Sequence, residues 1–306
     1  MRFCPCSAHV AQKVAAMDLT TKFVRAKSPC AMGYRWLVRH HQEGGDYQQV
    51  LDSMVEAGRV DDACWMLNQF GPTNAVLKLD AIEAEAVVFA GTIEVSGGIE
   101  VNSLIRAGRS LRAGGGIRAG RTIMAGDDIQ AGGAIRSGDT LESGGDIRCE
   151  MSIETLGTLR AGGGLRARWD VICGGAFDVK DKVLIGQDLA VQGLITCGKD
   201  LHVRGDITTS DSIRARQGIL CGASLRCGLH LEAGFGIKAT QSIMAGGSIR
   251  AGESLSAGEL LSAGSGYSVF AGLCVQQEVW DTSARVCASA KPERLMSGCW
   301  AGTCLG

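Results

Sequence analysis

Apolar residues recur every six positions along most of the chain. In steps of six from Val87 to Leu273, every residue is apolar, with no insertion or deletion in the series. The residue two positions later is usually small, and this alternation places both side chains on one face of a strand. A helix does not fit, because residues six apart would lie about 240° apart around its axis.

The segment "IRAGRSLRAGGGIRAGRTIMAGDDIQAG", residues 105–132, shows the unit clearly. Each hexad predicts a short strand with one large and one small inward side chain, followed by a corner. Glycines such as Gly108 and Gly114 stand at the corners, where we expect a positive φ. One unit cannot bury its apolar face alone, so the units must stack.

Charged residues indicate that three hexads make one coil. At a spacing of 18, the outward residues of one face alternate in charge, and coils about 4.8 Å apart would bring them together. We therefore predict two charge ladders, Glu142–Arg160–Asp178 and Arg214–Glu232–Arg250. The expected fold is an all-β solenoid, a three-faced parallel β-helix of about ten 18-residue coils, with the right hand favoured.

The large inward positions define the expected core. Phe177 is an aromatic residue in this series, and its neighbours on the adjoining faces, Val171 and Val183, are smaller than the usual Ile or Leu. A close-packed triangular core with one oversized corner needs such smaller neighbours. The predicted core includes Ile105, Ile117, Ile129, Phe177, Ile195, Ile213 and Ile243.

The two ends lack the period. Residues 1–80 contain a helical hairpin over 46–70, with Asp46 as N-cap and Gly71 at its stop, and shorter helices over 7–17 and 33–41. We expect the hairpin to cap the open end of a solenoid spanning 81–273, with a partner-binding module as the alternative. Residues 274–306 read as an irregular C-terminal cap or a tail.

Composition narrows the class of protein. The chain is 45% hydrophobic with 44 glycines and a net charge of −1, which favours a folded protein and disfavours a nucleic-acid partner. No apolar run reaches the length of about 18 residues that a membrane span needs. The first residues lack the apolar core of a secretory signal, so we expect a cytoplasmic protein.

Thirteen cysteines raise the questions of disulfides and metal. Five occupy the small inward position but lie several coils apart, too far for disulfides, and are expected to fill space as alanine does: Cys149, Cys173, Cys197, Cys221 and Cys227. Two cysteines near each end suggest zinc ligands, but the solenoid separates them: Cys4, Cys6, Cys299 and Cys304. We predict no metal and no cofactor.

Candidate chemistry is sparse. Hexapeptide repeats also occur in acyltransferases, where a histidine acts as general base between subunits, and His202 and His230 lie in the repeats. Neither has an inserted loop to build a pocket, and here the small inward residue follows the large one instead of preceding it. Solvated surface histidines are the favoured interpretation, and no catalytic residue is predicted.

One outward column is basic and could attract an acidic partner or a nucleic-acid backbone. It contains Arg112, Arg148, Arg166, His202 and Lys238. Neighbouring corners carry aspartates that would neutralise much of this charge, so a solvated face is favoured: Asp128, Asp146, Asp170, Asp188, Asp200 and Asp206.

The segments "GDIRCEMSIETLGTLRAGG" and "GKDLHVRGDITTSDSIRARQG" resemble the bactofilins, a family of bacterial polymer-forming cytoskeletal proteins. The shared cue is a Gly-Asp or Gly-Asn pair before alternating apolar residues. The resemblance implies a right-handed three-faced β-helix and a non-enzymatic scaffold that associates end to end. This chain departs from it in its longer solenoid and its helical N-terminal region, which puts head-to-tail polymerisation in doubt.

These observations predict a non-enzymatic structural or interaction scaffold. Its partners would be a second copy of the chain or another protein, docked through the ends of the solenoid. The alternative is an acyltransferase-like enzyme with a site at a subunit interface.

Overall fold

The computed structural model of the protein describes residues 18–42 and 44–303. Its N-terminal part is helical, with one small antiparallel ribbon between two short strands. In chain order the elements are β1 (Asp18–Leu19), α1 (Thr21–Arg25), α2 (Ala31–His40), β2 (Gly45–Asp46), α3 (Tyr47–Glu56) and α4 (Val60–Phe70).

Short strands then follow one another to the end of the described chain. The first are β3 (Val76–Leu79), β4 (Ile82–Ala84), β5 (Val87–Phe89), β6 (Thr92–Val95), β7 (Ile99–Val101), β8 (Leu104–Ala107), β9 (Leu111–Ala113), β10 (Ile117–Ala119), β11 (Thr122–Ala125), β12 (Ile129–Ala131), β13 (Ile135–Ser137) and β14 (Leu141–Ser143). The next are β15 (Ile147–Cys149), β16 (Ile153–Thr155), β17 (Leu159–Ala161), β18 (Leu165–Ala167), β19 (Val171–Cys173), β20 (Phe177–Val179), β21 (Val183–Ile185), β22 (Leu189–Val191), β23 (Ile195–Cys197), β24 (Leu201–Val203), β25 (Ile207–Thr209) and β26 (Ile213–Ala215).

The remaining elements complete the solenoid and its C-terminal part. They are β27 (Ile219–Cys221), β28 (Leu225–Cys227), β29 (Leu231–Ala233), β30 (Ile237–Ala239), β31 (Ile243–Ala245), β32 (Ile249–Ala251), β33 (Leu255–Ala257), β34 (Leu261–Ser262), β35 (Val269–Phe270), a 3₁₀ turn (Gln277–Val279), α5 (Trp280–Ser283), β36 (Arg285–Cys287), β37 (Leu295–Ser297) and β38 (Cys299–Gly302).

Every third strand stacks in parallel, which makes three long sheets. Sheet 1 runs from β3 through β6 and β9 to β36 and β38, with thirteen strands. Sheet 2 runs from β4 to β34 with eleven strands, and sheet 3 from β5 to β37 with twelve. Through the repeats, each residue pairs with the one eighteen positions later, as Ile117 does with Ile135. The fold is therefore a parallel three-sheet β-solenoid, as the sequence predicted.

The large inward side chains form one continuous core between the sheets. Phe177 is fully buried, and so are the smaller Val171 and Val183 beside it. The other expected core positions are also buried: Ile105, Ile117, Ile129, Ile195, Ile213 and Ile243.

The solenoid extends beyond the repeats that a six-residue search finds, so the expected ten coils were too few. At the N-terminal end, Leu77 pairs with Ile93 and Ile82 with Ile99, at shorter steps than eighteen. These shorter steps put the first coil out of phase with the hexads, and a search in steps of six misses it.

At the C-terminal end the chain leaves the period earlier than predicted. Val269 pairs with Ile249 in the place that an unbroken repeat would give to Tyr267. Tyr267 and Leu273 are 46% and 53% exposed, so their assignment to the inward series was wrong. Extra residues after Leu261 shift the register.

The corner glycines do not adopt the positive φ that the sequence predicted. In the repeats between Gly91 and Gly264, none of the described corner glycines has a positive φ. Instead, a Cβ on Gly126 would lie 2.1 Å from the carbonyl oxygen of Gly108 in the preceding coil. Glycine is favoured there because stacked corners approach closely.

The helical region packs against the side of the first coils and builds a core of its own. That core includes Val88, an outward residue of β5 in sheet 3, and Ala90, which follows β5 directly. The side-chain amide of Gln48 in α3 donates to the Val88 carbonyl at 3.0 Å and accepts from the Ala90 amide at 2.9 Å. Gln48 thus satisfies backbone hydrogen-bonding groups on the outer edge of β5, as a neighbouring strand would. The hairpin thus covers the N-terminal edge of sheet 3. At the N-terminal end of sheet 1, Leu77 is half-buried.

Candidate interaction surfaces

The predicted charge ladders lie in register but do not form ion pairs. Glu142 stands beside Arg160 and Arg160 beside Asp178, as the period required. Among the described residues, however, no ion pair within 4.0 Å joins two members of either ladder. Asp178 instead meets Lys180 at 2.7 Å. Exposed pairs gain little free energy, so a register match alone does not hold long side chains together.

The second ladder shows the same arrangement. Glu232 lies beside Arg214 on one side and Arg250 on the other. The Arg250 guanidinium lies 5.7 Å from the ring centroid of Phe270, within cation–π range.

Ion pairs between adjacent coils occur on other columns. Arg112 meets Glu94 at 3.1 Å and Arg118 meets Glu100 at 3.2 Å, in each case eighteen residues apart. Lys199 and Asp181 form a similar pair at 2.8 Å. The coil spacing thus brings opposite charges together as predicted, but on columns other than the two predicted ladders.

The corner aspartates have a structural role beyond neutralising the basic column. Each carboxylate accepts a backbone N–H from the residue eighteen positions later, in the next coil, at 2.7 to 3.1 Å. The aspartates that do this are Asp128, Asp146, Asp170, Asp188, Asp200 and Asp206. The available signal was the recurrence of Asp just before the large apolar residue, at a spacing of eighteen.

Polar residues at the small inward position make a similar bond. The Cys197 thiol donates to the Asp181 carbonyl at 3.3 Å, and the Ser137 hydroxyl donates to the Arg121 carbonyl at 2.7 Å. Cys149, Cys173 and Cys221 bond corner carbonyls in the same way. With Cys227, all five inward cysteines are buried and free of disulfides. The Cys227 thiol bonds the Leu229 carbonyl at 3.6 Å. The five cysteines therefore fill space, and each also donates to a corner carbonyl, which alanine would not do.

The basic column lies on sheet 1, and its charges are unevenly compensated. Arg112 pairs with Glu94, and Arg148 pairs with Asp146 at 2.8 Å. Across residues 18–42 and 44–303, Arg166, His202 and Lys238 have no carboxylate within 4.0 Å. The basic side chains without a carboxylate partner thus lie in the middle and C-terminal half of the column.

A groove of about 530 Å³ opens beside this column. Arg166, Leu184 and His202 stand in successive coils along its floor and side. Arg168 and Arg204 flank its corner side, two coils apart, and Gly186 lies in the coil between them. A second groove of about 330 Å³ continues along sheet 1 over Leu220 to Lys238 and shares His202.

The two repeat histidines differ in their surroundings. His230 lies at a corner, where its Nδ1 atom is 3.1 Å from the Ser248 amide and 3.0 Å from the Ser248 hydroxyl. Its ring also packs edge-on against Tyr267 at 5.5 Å. This bonding makes His230 a corner-stabilising residue, whereas the half-buried His202 faces the groove.

The predicted zinc-type cysteines fall mostly outside the described part of the chain. Cys4, Cys6 and Cys304 lie outside it, and Cys299 is half-buried in β38. Among described residues, no group of three or more His, Cys, Asp or Glu side chains is arranged to hold a metal ion. None of the helices in that part of the chain has both the length and the apolar character that crossing a bilayer requires.

Comparison with known proteins bears on the helical region. No curated protein and no solved structure matches the chain. The resemblance of the repeats to bactofilins stays a prediction. Residues 17–70 match the family model of the YdhT N-terminal domain, and this range contains α1 to α4.

Proposed function

We propose that the protein is a non-catalytic structural scaffold, a rigid rod that joins a second copy of itself through its C-terminal end. The observation that carries the proposal is the difference between the two ends of sheet 3. At the N-terminal end, Gln48 occupies the hydrogen-bonding groups of β5. At the other end, β37 is the last strand of its sheet in the described chain.

Rigidity follows from the continuous sheets. From β5 to β34 the strands are joined by short corners, with no inserted loop. Binding and catalytic residues usually lie on loops held by a scaffold, so a surface built from strands and tight corners suits a structural role. The engagement of His230 in a corner also supports this proposal over the acyltransferase alternative.

The C-terminal edge has the features of a contact surface. Met296 in β37 is 68% exposed, and Trp300 in β38 is half-buried. An exposed strand edge is a template for pairing with another chain. Pairing through one end only, by the same surface on both copies, gives a closed two-fold dimer instead of a filament.

Size-exclusion chromatography with light scattering, followed by negative-stain imaging of the full chain, tests this proposal. We expect a dimer, and we expect Met296→Lys to shift it toward monomer, because a lysine on an edge strand opposes pairing. Met32→Lys is the matched control, since Met32 is 70% exposed but lies in α2. A monomeric wild-type chain, filaments, or equal effects of the two substitutions would contradict the proposal.

A further inference from the structure

We infer that the groove on sheet 1 is a binding site for a small phosphate monoester. Three arginines line it: Arg166, Arg168 and Arg204. The chain as a whole carries a net charge of −1, so this concentration of positive charge is local. The inference does not depend on the scaffold function, because the groove lies within one copy of the chain.

The groove has an excess of positive charge. Its one acidic lining residue, Glu150, lies 3.8 Å from Arg168 and compensates one of the three arginines. In the part of the chain that the structure describes, Arg166 and Arg204 have no carboxylate within 4.0 Å. Asp188, in the same corner as Gly186, keeps its negative charge, but its carboxylate accepts the Asp206 amide at 2.7 Å and does not line the groove. Arg166 and Arg204 are therefore unpaired. The Arg168–Glu150 pair, at 3.8 Å, is too long for a hydrogen bond, so the N–H donors of Arg168 also remain available to an anion.

The repeat places these groups around a gap. Arg168, Gly186 and Arg204 occupy the same corner in successive coils, so the two arginines are about 9.6 Å apart at 4.8 Å per coil. Gly186 has no side chain to fill the space between them. An anion over Gly186 can therefore receive hydrogen bonds from both sides.

The chemistry of the groove favours a phosphate monoester over a carboxylate. A guanidinium presents a planar fork that matches phosphate oxygens. The monoester carries close to two negative charges at pH 7 and three acceptor oxygens, which suits three arginines better than a single carboxylate does. The half-buried Leu184 lies beside the gap and provides an apolar surface for the organic group. The volume of about 530 Å³ suits a small molecule.

Isothermal titration calorimetry of the full chain with phenyl phosphate tests the site. This probe combines a phosphate dianion with an apolar ring of a size to lie on Leu184. We expect a dissociation constant below about 1 mM at low salt, with phenol giving no binding and benzoate binding more weakly. Arg168→Gln and Arg204→Gln should each weaken phenyl phosphate binding about tenfold, since each removes a charge-assisted hydrogen bond.

Arg216→Gln is the matched control, because Arg216 is exposed at the equivalent hexad position on another corner. It should bind phenyl phosphate as the wild-type chain does. Leu184→Glu should abolish binding, because its carboxylate would neutralise the groove. The inference is overturned by absence of phenyl phosphate binding at millimolar concentration or by unchanged binding in both groove variants. Equal loss in Arg216→Gln would also overturn it, as would binding only to vesicles containing phosphatidic acid or to a single-stranded oligonucleotide.

Discussion

The carboxylate of Asp188 accepts the backbone N–H of Asp206 at 2.7 Å, and the two residues stand at the same corner in successive coils. Asp188 itself donates its backbone N–H to Asp170 at 3.0 Å. A ladder of side-chain to backbone bonds thus runs along the corner between sheets 1 and 2, beside the backbone ladders of the sheets. The corner aspartates, which the sequence predicts to neutralise the basic column, thus also fix the stacking of the coils.

Asp188→Ala should destabilise the solenoid by about 1–3 kcal/mol, because it leaves the Asp206 amide without its acceptor. Asp188→Asn should cost less, since the amide oxygen still accepts. Urea unfolding and hydrogen exchange at the Asp206 amide measure the effect. Glu142→Ala is the control and should change stability by no more than about 0.5 kcal/mol. An Asp188→Ala protein with unchanged unfolding midpoint and unchanged Asp206 protection would show that this bond adds nothing.

Gln48→Ala should expose the edge of β5 and loosen the helical domain. The substitution removes the acceptor of the Ala90 amide and the donor to the Val88 carbonyl. It should lower the free energy of unfolding by about 1–3 kcal/mol. We expect faster amide exchange at Ala90 and, because a strand edge becomes free, a tendency to form larger assemblies. Gln49→Ala, at an exposed position of the same helix, should have neither effect. If both variants behave alike, Gln48 does not protect the edge.

The buried thiols should make stability fall at alkaline pH. Burial raises the pKa of Cys197 to about 11 and that of Cys227 to about 12, from an ordinary 9.0. A raised pKa in the folded state means that the protonated thiol is favoured there. The stabilisation that the two protonated thiols contribute to the folded state is fully present below pH 9 and is lost as the pH rises toward 11 and 12.

Melting temperatures measured between pH 8 and 11 check this expectation. The double variant Cys197→Ala, Cys227→Ala should lose less stability over that range than the wild-type chain. Burial also raises the pKa of Tyr47, so part of the slope should remain. Cys274→Ala, at an exposed thiol, is the control and should keep the wild-type slope. A double variant with that slope would mean that the two thiols do not titrate on unfolding.

The repeat was predictable because stacking converts contacts between coils into a period along the chain. Ile129 beside Ile147 in the folded state is simply a spacing of eighteen in the sequence. The first coil was not predictable, because Ile82 and Ile99 pair at a shorter step. An amino-acid pattern shows a period only while the corners keep a constant length.

The surface was harder to predict than the core. Inward positions are restricted by volume, whereas an outward charge can pair along its column, across a corner or with backbone. Asp178 illustrates this, since it meets Lys180 instead of the stacked Arg160. The Gln48 contact leaves no trace in the period, because its partners are backbone groups about forty residues away. The groove beside Gly186 could likewise be recognised only in the folded structure, because its arginines come from coils that are not adjacent.

The bond from each corner aspartate to the next coil also bears on how such a chain can change in length. Removing or duplicating eighteen residues anywhere in the regular repeats would bring an equivalent corner onto an equivalent corner and renew the same contacts. The molecule can therefore be shortened or lengthened in whole increments of about 4.8 Å, without redesign of its interior. Intermediate changes, such as the extra residues after Leu261, are accommodated where the regular stack gives way to its terminal coils.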